Sequence, residues 1–266
     1  MRWIVGNGDL PPQARLEVLE QMGVPHAIFG RLGGASQPPF DSLNTGHTVG
    51  DAPEAVAANM ARICRALGVS PEDLVTARLV HGTRVAVVGP QDRGRVVPAT
   101  DALVTVSPEV VLFLRFADCV PLFLFDTRTG AVGLGHAGWK GTIEGIAAAM
   151  VEAMREAFGS RPEEMVGAIG PAIGPCCYEV GPDVEALVRQ GLSPMAGEVL
   201  QSRNGRVHFD LWEANRRQWL AAGVGQVEVS GVCTACRRDL FFSHRGDGGR
   251  TGRFGVAIRT PGPAPL

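Results

Sequence analysis

Three short segments place a thiol or an imidazole where a chain built only for packing would carry Val or Leu. They are Leu79-Val80-His81-Gly82-Thr83-Arg84, Ala117-Asp118-Cys119-Val120-Pro121 and Gly133-Leu134-Gly135-His136-Ala137-Gly138-Trp139-Lys140-Gly141. Each polar centre interrupts an apolar run. One thiolate and two imidazoles, with a fourth position left to water, is a way in which catalytic zinc is held, and the metal itself would deprotonate the cysteine. The gaps of 38 and 17 residues between His81, Cys119 and His136 match no short metal motif. The ligands must therefore converge through the fold. A second reading uses the same atoms differently, with Cys119 as a nucleophile activated by His136. A hairpin would bring that pair together, because the two residues end successive predicted strands. A third reading leaves all three as satisfied structural residues. A zinc-bound thiolate is poorly available for attack, so the two chemical readings exclude each other.

Other candidates are less specific. Arg31, in Phe29-Gly30-Arg31-Leu32-Gly33-Gly34, follows a predicted strand beside flexible glycines, which suits a bidentate clamp on phosphate or carboxylate as well as a surface position. Asn44 fits a turn residue capping backbone or a ligand contact. The segment Phe242–Arg253 crowds His244, Arg250 and glycine N–H groups together, a chemistry suited to an anion or to an exposed polar loop. Residues 169–181 form a loop pinned by Pro and Gly that carries Cys176 and Cys177. Cys233 and Cys236 form a CxxC, but no second CxxC completes a four-cysteine zinc site. Its context, Arg237-Arg238-Asp239, does not favour a redox role. Cys64 reads as helix core, and His26, His47 and His208 have no partners in sequence.

The elements that must position these groups follow from periodicity. A helical pattern covers about Pro12–Met22, followed by a strand at His26–Gly30 and a long polar loop over Gly33–Gly50. Asp51 with Glu54 predicts a capping box for a helix carrying Val56, Met60, Ile63, Cys64 and Leu67 on one face. Strands are expected at Leu74–Val80, Arg84–Val88, Asp101–Val106, Val110–Phe116, Val120–Asp126 and Ala131–Gly135. Val110–Phe116 and Val120–Phe125 are nearly continuous apolar runs, as in strands covered on both faces. Thr142 is placed to cap a helix reaching Phe158. Met165–Ile169 reads as a strand, Asp183–Gln190 and Asp210–Ala222 as helices, and Val227–Gly231 and Phe254–Arg259 as strands closing the sheet. Pro261–Leu266 reads as a loose tail. The expectation is one α/β domain over residues 1–266, a mixed β-sheet with helices on its faces. Neither a GxGxxG after a strand nor a GxxxxGK[ST] occurs.

Composition narrows the function classes. The chain has 266 residues, 45% of them hydrophobic and 20% charged, with a net charge of −2. That excludes a disordered chain and lacks the basic footprint of a general nucleic-acid binder. The basic residues are 24 Arg and the single Lys140, a bias that fits Arg-preferring codons. No apolar run reaches the length of a membrane span, and the first residues lack a signal-peptide pattern. A cytoplasmic location is the default expectation.

The combination of V-H-G-T-R-V, A-D-C-V-P-L, G-H-A-G-W-K-G-T, I-G-P-x-I-G-P-C-C-Y-E-V-G, D-L-W-x-A-N-R and F-F-S-H-R-x-D-G-G-R-T-G-R resembles the laccase-domain family. Its members are also described as multicopper polyphenol oxidoreductase-like proteins, peptidoglycan editing factors and purine nucleoside phosphorylases. The resemblance runs from about His26 to Arg259. It implies a layered α/β sandwich related to the cysteine-hydrolase fold of cytotoxic necrotizing factor. It implies zinc on His81, Cys119 and His136, and substrate-facing roles for Arg31 and Asn44. Two positions depart from the usual pattern: Gly30 stands where Ser or Thr is common, and Gly246 where a second Arg is. The implied chemistry is phosphate-dependent cleavage of adenosine, inosine, guanosine and methylthioadenosine, with deamination of adenosine. On this reading Cys119, His136 and Arg31 are catalytic, and Arg31, Asn44, His244 and Arg250 bind substrate. The alternatives are an amidohydrolase editing a cell-wall precursor and, less compatible with six histidines in all, a copper polyphenol oxidase. A binding module with structural zinc is disfavoured by the open coordination position.

Overall fold

The computed structural model of the chain describes residues 1–8 and 10–262. Two mixed sheets stack face to face, and helices cover both outer faces. One sheet has seven strands in the order Arg2–Ile4, Gln13–Arg15, His26–Phe29, Phe254–Ile258, Val111–Phe116, Leu74–Ala77 and Val96–Val97. The other has six, in the order Gln226–Val229, Met165–Ile169, Val120–Asp126, Val132–Ala137, Ala102–Thr105 and Val85–Val87. The architecture is thus an α/β layered sandwich. Among the described residues the expected single sheet is two stacked sheets and a separate two-stranded ribbon, Leu200–Arg203 with Arg206–Phe209, and the strands expected to close it go to different sheets: Phe254–Ile258 to the centre of the first and Gln226–Val229 to the edge of the second.

The period-2 geometry of strands explains the layering. In Val111–Phe116, Leu112, Leu114 and Phe116 point between the sheets, where they join Phe123, Phe125, Val132 and Leu134 of the other sheet. The alternate residues Val111 and Phe113 face Ile63 and Cys64 of the helix Pro53–Leu67. In Val120–Asp126, Leu122 and Leu124 face Met150 and Met154 of the helix Ile146–Phe158 and Trp219 of the helix Leu211–Ala221. Both strands are therefore apolar on both faces, as their sequences require. Trp219 is fully buried in this layer and donates its indole N–H to the Ala147 carbonyl at 3.0 Å.

Several local expectations change. The helical pattern over Pro12–Met22 splits into the strand Gln13–Arg15 and a short helix, Glu17–Gln21, because pairing with His26–Phe29 takes its first residues. Asp51 does not cap the next helix, whose N-cap is Ala52 without a side-chain bond. Its carboxylate instead accepts from Asn44 Nδ2 at 2.8 Å. Thr142 lies inside the helix Trp139–Glu144 and accepts a hydrogen bond from Asn215 at 3.0 Å. Asp210 does cap its helix through the Glu213 N–H. The Glu213 side chain does not reach back to complete a capping box with Asp210, because it pairs with Arg216 and Arg217. Of the expected tail, residues 263–266 lie outside those described.

His26 gives the fold a pH dependence. Its ring is buried, accepts from the Leu16 N–H at 2.8 Å and donates to the Val24 carbonyl at 2.8 Å. Burial is the main cause that lowers its pKa to about 4. The unfolded chain binds this proton from about pH 6.5 downward and the folded chain does not. Full stability is thus present above pH 6.5 and declines towards pH 4, by about 3 kcal/mol from this residue. Urea unfolding across that range should show the decline in the wild type, and a correspondingly smaller one in His26→Gln, whose amide keeps the acceptor.

Candidate metal centre and its cavity

The chain passes from one sheet to the other at residues 78–84, 98–101 and 117–119. His81 lies in the first crossing and Cys119 in the third. His136 lies near the end of Val132–Ala137, opposite Pro121 in the hairpin register. The hairpin brings Cys119 and His136 together, as expected from sequence, and the crossing at 78–84 adds His81. The three ligand atoms lie within 4.8 Å of one another. The rings of His81 and His136 meet edge to face, with centroids 4.9 Å apart.

Asp101, in the second crossing, organises the cluster. Its buried carboxylate accepts from the N–H groups of Val80, His81 and Gly82 at 3.2, 2.9 and 2.9 Å. The same carboxylate stands 3.2 Å from His136 Nδ1, which leaves Nε2 for a metal or for Cys119. Such a carboxylate behind a ligating imidazole fixes tautomer and orientation. It also holds His81 in the left-handed region at φ 62°, a conformation that costs about 1–3 kcal/mol when unsupported. Asp118, beside Cys119, has φ 86° and is held likewise: Thr234 Oγ1 and the Arg245 N–H donate to it at 2.6 and 2.7 Å. Gly138 is required by space, because a Cβ there would lie 2.7 Å from His81 Cδ2 and 3.3 Å from Cys119 Sγ.

The electrostatics of the cluster follow from its members. Burial raises the Cys119 thiol, but the imidazoles of His136 and His81 outweigh it and bring the pKa to about 6. Burial lowers His136, and the Cys119 thiolate with the Asp101 carboxylate outweighs that, raising it to about 9. A thiolate and two ring nitrogens converging here fit one zinc ion with an open position. They do not fit a multicopper centre, since no additional cluster containing His exists among the described residues.

The ligands open onto a cavity of about 790 Å3, within the range of small-molecule sites. Arg78, Arg115, Arg245 and Arg253 line it, and Asp118 is the single acidic lining residue. Arg115 donates to the Thr45 carbonyl, to Thr76 Oγ1 and towards His47 Nε2 at 2.7, 3.0 and 3.2 Å, and burial lowers its pKa to about 10. Arg253 donates through Nη1 to the carbonyls of Thr251 and Gly252, which leaves Nε and Nη2 for a ligand. His244 also lines the cavity.

The remaining sequence candidates are placed elsewhere. Arg31 is absent from the cavity lining. Its guanidinium donates to the carbonyls of Asp41 and Arg238 at 2.9 and 3.0 Å and stacks on Phe242, so it braces loops. Gly30 beside it is a packing requirement, since a Cβ would lie 2.4 Å from the Leu240 carbonyl oxygen. Asn44 is fully buried and spends its amide on Gly46, Asp51 and the Arg253 N–H. It therefore positions Gly46 and Arg253, which do line the cavity, without reaching it. Arg250 lies over the Phe40 ring at 5.9 Å, away from the lining.

Sequence reasoning passed over Asp101, Arg115 and Arg253. The signals were an acid opening an apolar strand, a guanidinium inside Val111–Phe116, and the last Arg of a segment already suspected of binding anions.

A family model described as multi-copper polyphenol oxidoreductase laccase matches residues 25–260. A Deinococcus radiodurans protein described as purine nucleoside phosphorylase is 44% identical over 241 residues, covering 90% of each chain. The Geobacillus stearothermophilus protein described as purine nucleoside phosphorylase YlmD is 43% identical, covering 87% of this chain and 88% of its own. Its crystal structure superposes with a TM-score of 0.86 at 41% identity, over 90% of this chain and 92% of that one. The Bacillus licheniformis hypothetical protein YfiH superposes with a TM-score of 0.90 at 38% identity, over 97% and 98%. No helix among the described residues is long and apolar enough to cross a membrane.

Proposed function

This chain belongs to the multi-copper polyphenol oxidoreductase laccase family, and from that membership we propose that it is a zinc-dependent purine nucleoside phosphorylase that also deaminates adenosine. The observation that carries the reading is the His81, Cys119 and His136 donor set opening onto a cavity lined by four arginines and one carboxylate. A polyphenol is uncharged and has no use for that lining, whereas phosphate is drawn to it.

Zinc, when bound, supplies a Lewis-acidic centre with one position left open by the protein. Asp101 keeps His136 in the tautomer that presents Nε2 to that centre. In phosphorolysis a phosphate oxygen attacks C1′ and the bond from C1′ to the purine nitrogen breaks. Arg253 holds the phosphate through its free Nε and Nη2, and its charge, with that of the neighbouring Arg115, opposes repulsion of the phosphate by the electron-rich base. In deamination water adds to C6 of adenine and ammonia leaves. His47 and His244 are the lining imidazoles outside the metal set, and they are the groups able to carry a proton to the departing purine or amine.

The test is a parallel assay of four substrates: inosine with phosphate, adenosine, a UDP-muramoyl-L-serine precursor, and a phenol with oxygen and added copper. Hypoxanthine with ribose 1-phosphate from the first, and inosine from the second, are the expected products. Cleavage of the precursor without nucleoside turnover would replace this reading with the editing amidohydrolase. Copper-dependent oxygen uptake alone would replace it with the oxidase.

A further inference from the structure

The two cysteine pairs that the sequence left separate meet in space. Cys176 and Cys177 lie in the loop that follows the strand Met165–Ile169, and Cys233 and Cys236 in the loop that follows Gln226–Val229. These strands are parallel neighbours, with Ile169 opposite Val229, so both loops leave the sheet at the same end. A further bridge between Ala172 and Cys233 keeps them together. All four sulfur atoms lie within 4.8 Å of one another. Cys236 Sγ stands 3.6 Å from Cys176 Sγ and 3.4 Å from Cys177 Sγ. The missing second CxxC is thus supplied by an adjacent pair, which no spacing rule for zinc sites anticipates.

We propose that Cys176, Cys177, Cys233 and Cys236 form a second metal site, a closed four-thiolate zinc site distinct from the His81, Cys119 and His136 centre. Four sulfurs about 2.3 Å from a tetrahedral ion stand roughly 3.8 Å from each other, within a few tenths of an ångström of the 3.6 and 3.4 Å separations at Cys236 and inside the 4.8 Å that bounds the whole set. An all-sulfur donor set selects soft metals. The sulfurs are too close together to enclose a cubane iron–sulfur cluster. The Gly174 N–H donates to Cys233 Sγ at 3.2 Å, a contact that offsets charge on a ligating thiolate. With four protein ligands no position remains for water or substrate, so the site is structural.

Its position gives it a purpose. Thr234, inside the CxxC, donates to Asp118, the neighbour of Cys119. Tyr178, the residue after Cys177, lines the cavity beneath the Arg245 guanidinium, 5.3 Å from its ring centre. A zinc ion here clamps the two loops that build this wall of the cavity, whichever substrate the cavity takes.

Protein purified with reductant should contain close to two zinc ions per chain. The Cys119→Ala variant should retain one, and the Cys233→Ser/Cys236→Ser variant should also retain one. Should the double variant not fold, the Cys119→Ala protein reconstituted with cobalt(II) decides. It should show thiolate-to-cobalt charge transfer in the near ultraviolet and the strong visible bands of a tetrahedral four-sulfur site. A single zinc per chain that disappears entirely in Cys119→Ala would overturn the proposal. So would absence of the cobalt spectrum, or a disulfide among the four cysteines in reduced preparations.

Discussion

Cys119→Ala should lose the zinc of the cavity and at least about three orders of magnitude in nucleoside turnover. A Lewis-acidic centre contributes several kcal/mol to a transition state, and each 1.36 kcal/mol is about tenfold in rate. The same loss is expected when His136 is replaced, because the ligand set then falls from three to two. Substitution alone does not separate a zinc ligand from a nucleophile, since both readings need the Cys119 sulfur. Removal of metal from the wild type does. A chelated protein should lose turnover to the same degree and regain it with zinc. Full activity in the metal-free protein would instead assign Cys119 and His136 to a thiolate–imidazole pair, to which their opposed pKa shifts are equally suited.

Arg253→Met should separate the two reactions. The guanidinium keeps Nε and Nη2 free of backbone partners and faces the cavity. A charge-assisted contact to phosphate is worth roughly 1.5–3 kcal/mol, or about 10- to 150-fold. Phosphorolysis of inosine should fall by that factor, mainly through a raised KM for phosphate. Deamination of adenosine uses no phosphate and should change by no more than a few fold. Arg31→Ala is the control. Its guanidinium braces the loops at Asp41 and Arg238, so both activities and stability should decline together. Loss confined to phosphate use in Arg31→Ala, with Arg253→Met unaffected, would return the anion pocket to Arg31.

The convergence of His81, Cys119 and His136 was legible because each breaks an apolar run at a point where only chemistry or a cap explains it. The strands Val120–Asp126 and Met165–Ile169 were legible to the residue, since buried strands of both kinds declare themselves by composition. The division into two sheets was not. A run that is apolar on both faces says that something covers each face, but not whether the cover is a helix or another sheet. Which arginine lines the cavity was not legible, for a related reason. Arg31 and Arg253 have the same side chain, and both sit beside glycines. What distinguishes them is whether distant carbonyls use up the guanidinium, and Arg238 is 207 positions from Arg31. Of the two readings of Asn44, a residue capping backbone or a ligand contact, the structure shows the backbone contacts, to Gly46 and to the Arg253 N–H.

The crossings at residues 78–84, 98–101 and 117–119 have a thermodynamic meaning. His81, Asp101 and Cys119 each belong to a connection whose two ends are anchored in different sheets. A half-assembled chain with one sheet formed would hold at most a fragment of the donor set. An ion held by these donors would consequently bind only the complete sandwich, and its whole binding free energy would be added to the gap between the native state and every partly folded one. Zinc in this position would make unfolding more nearly all-or-none. Release of the ion and separation of the sheets then become a single event.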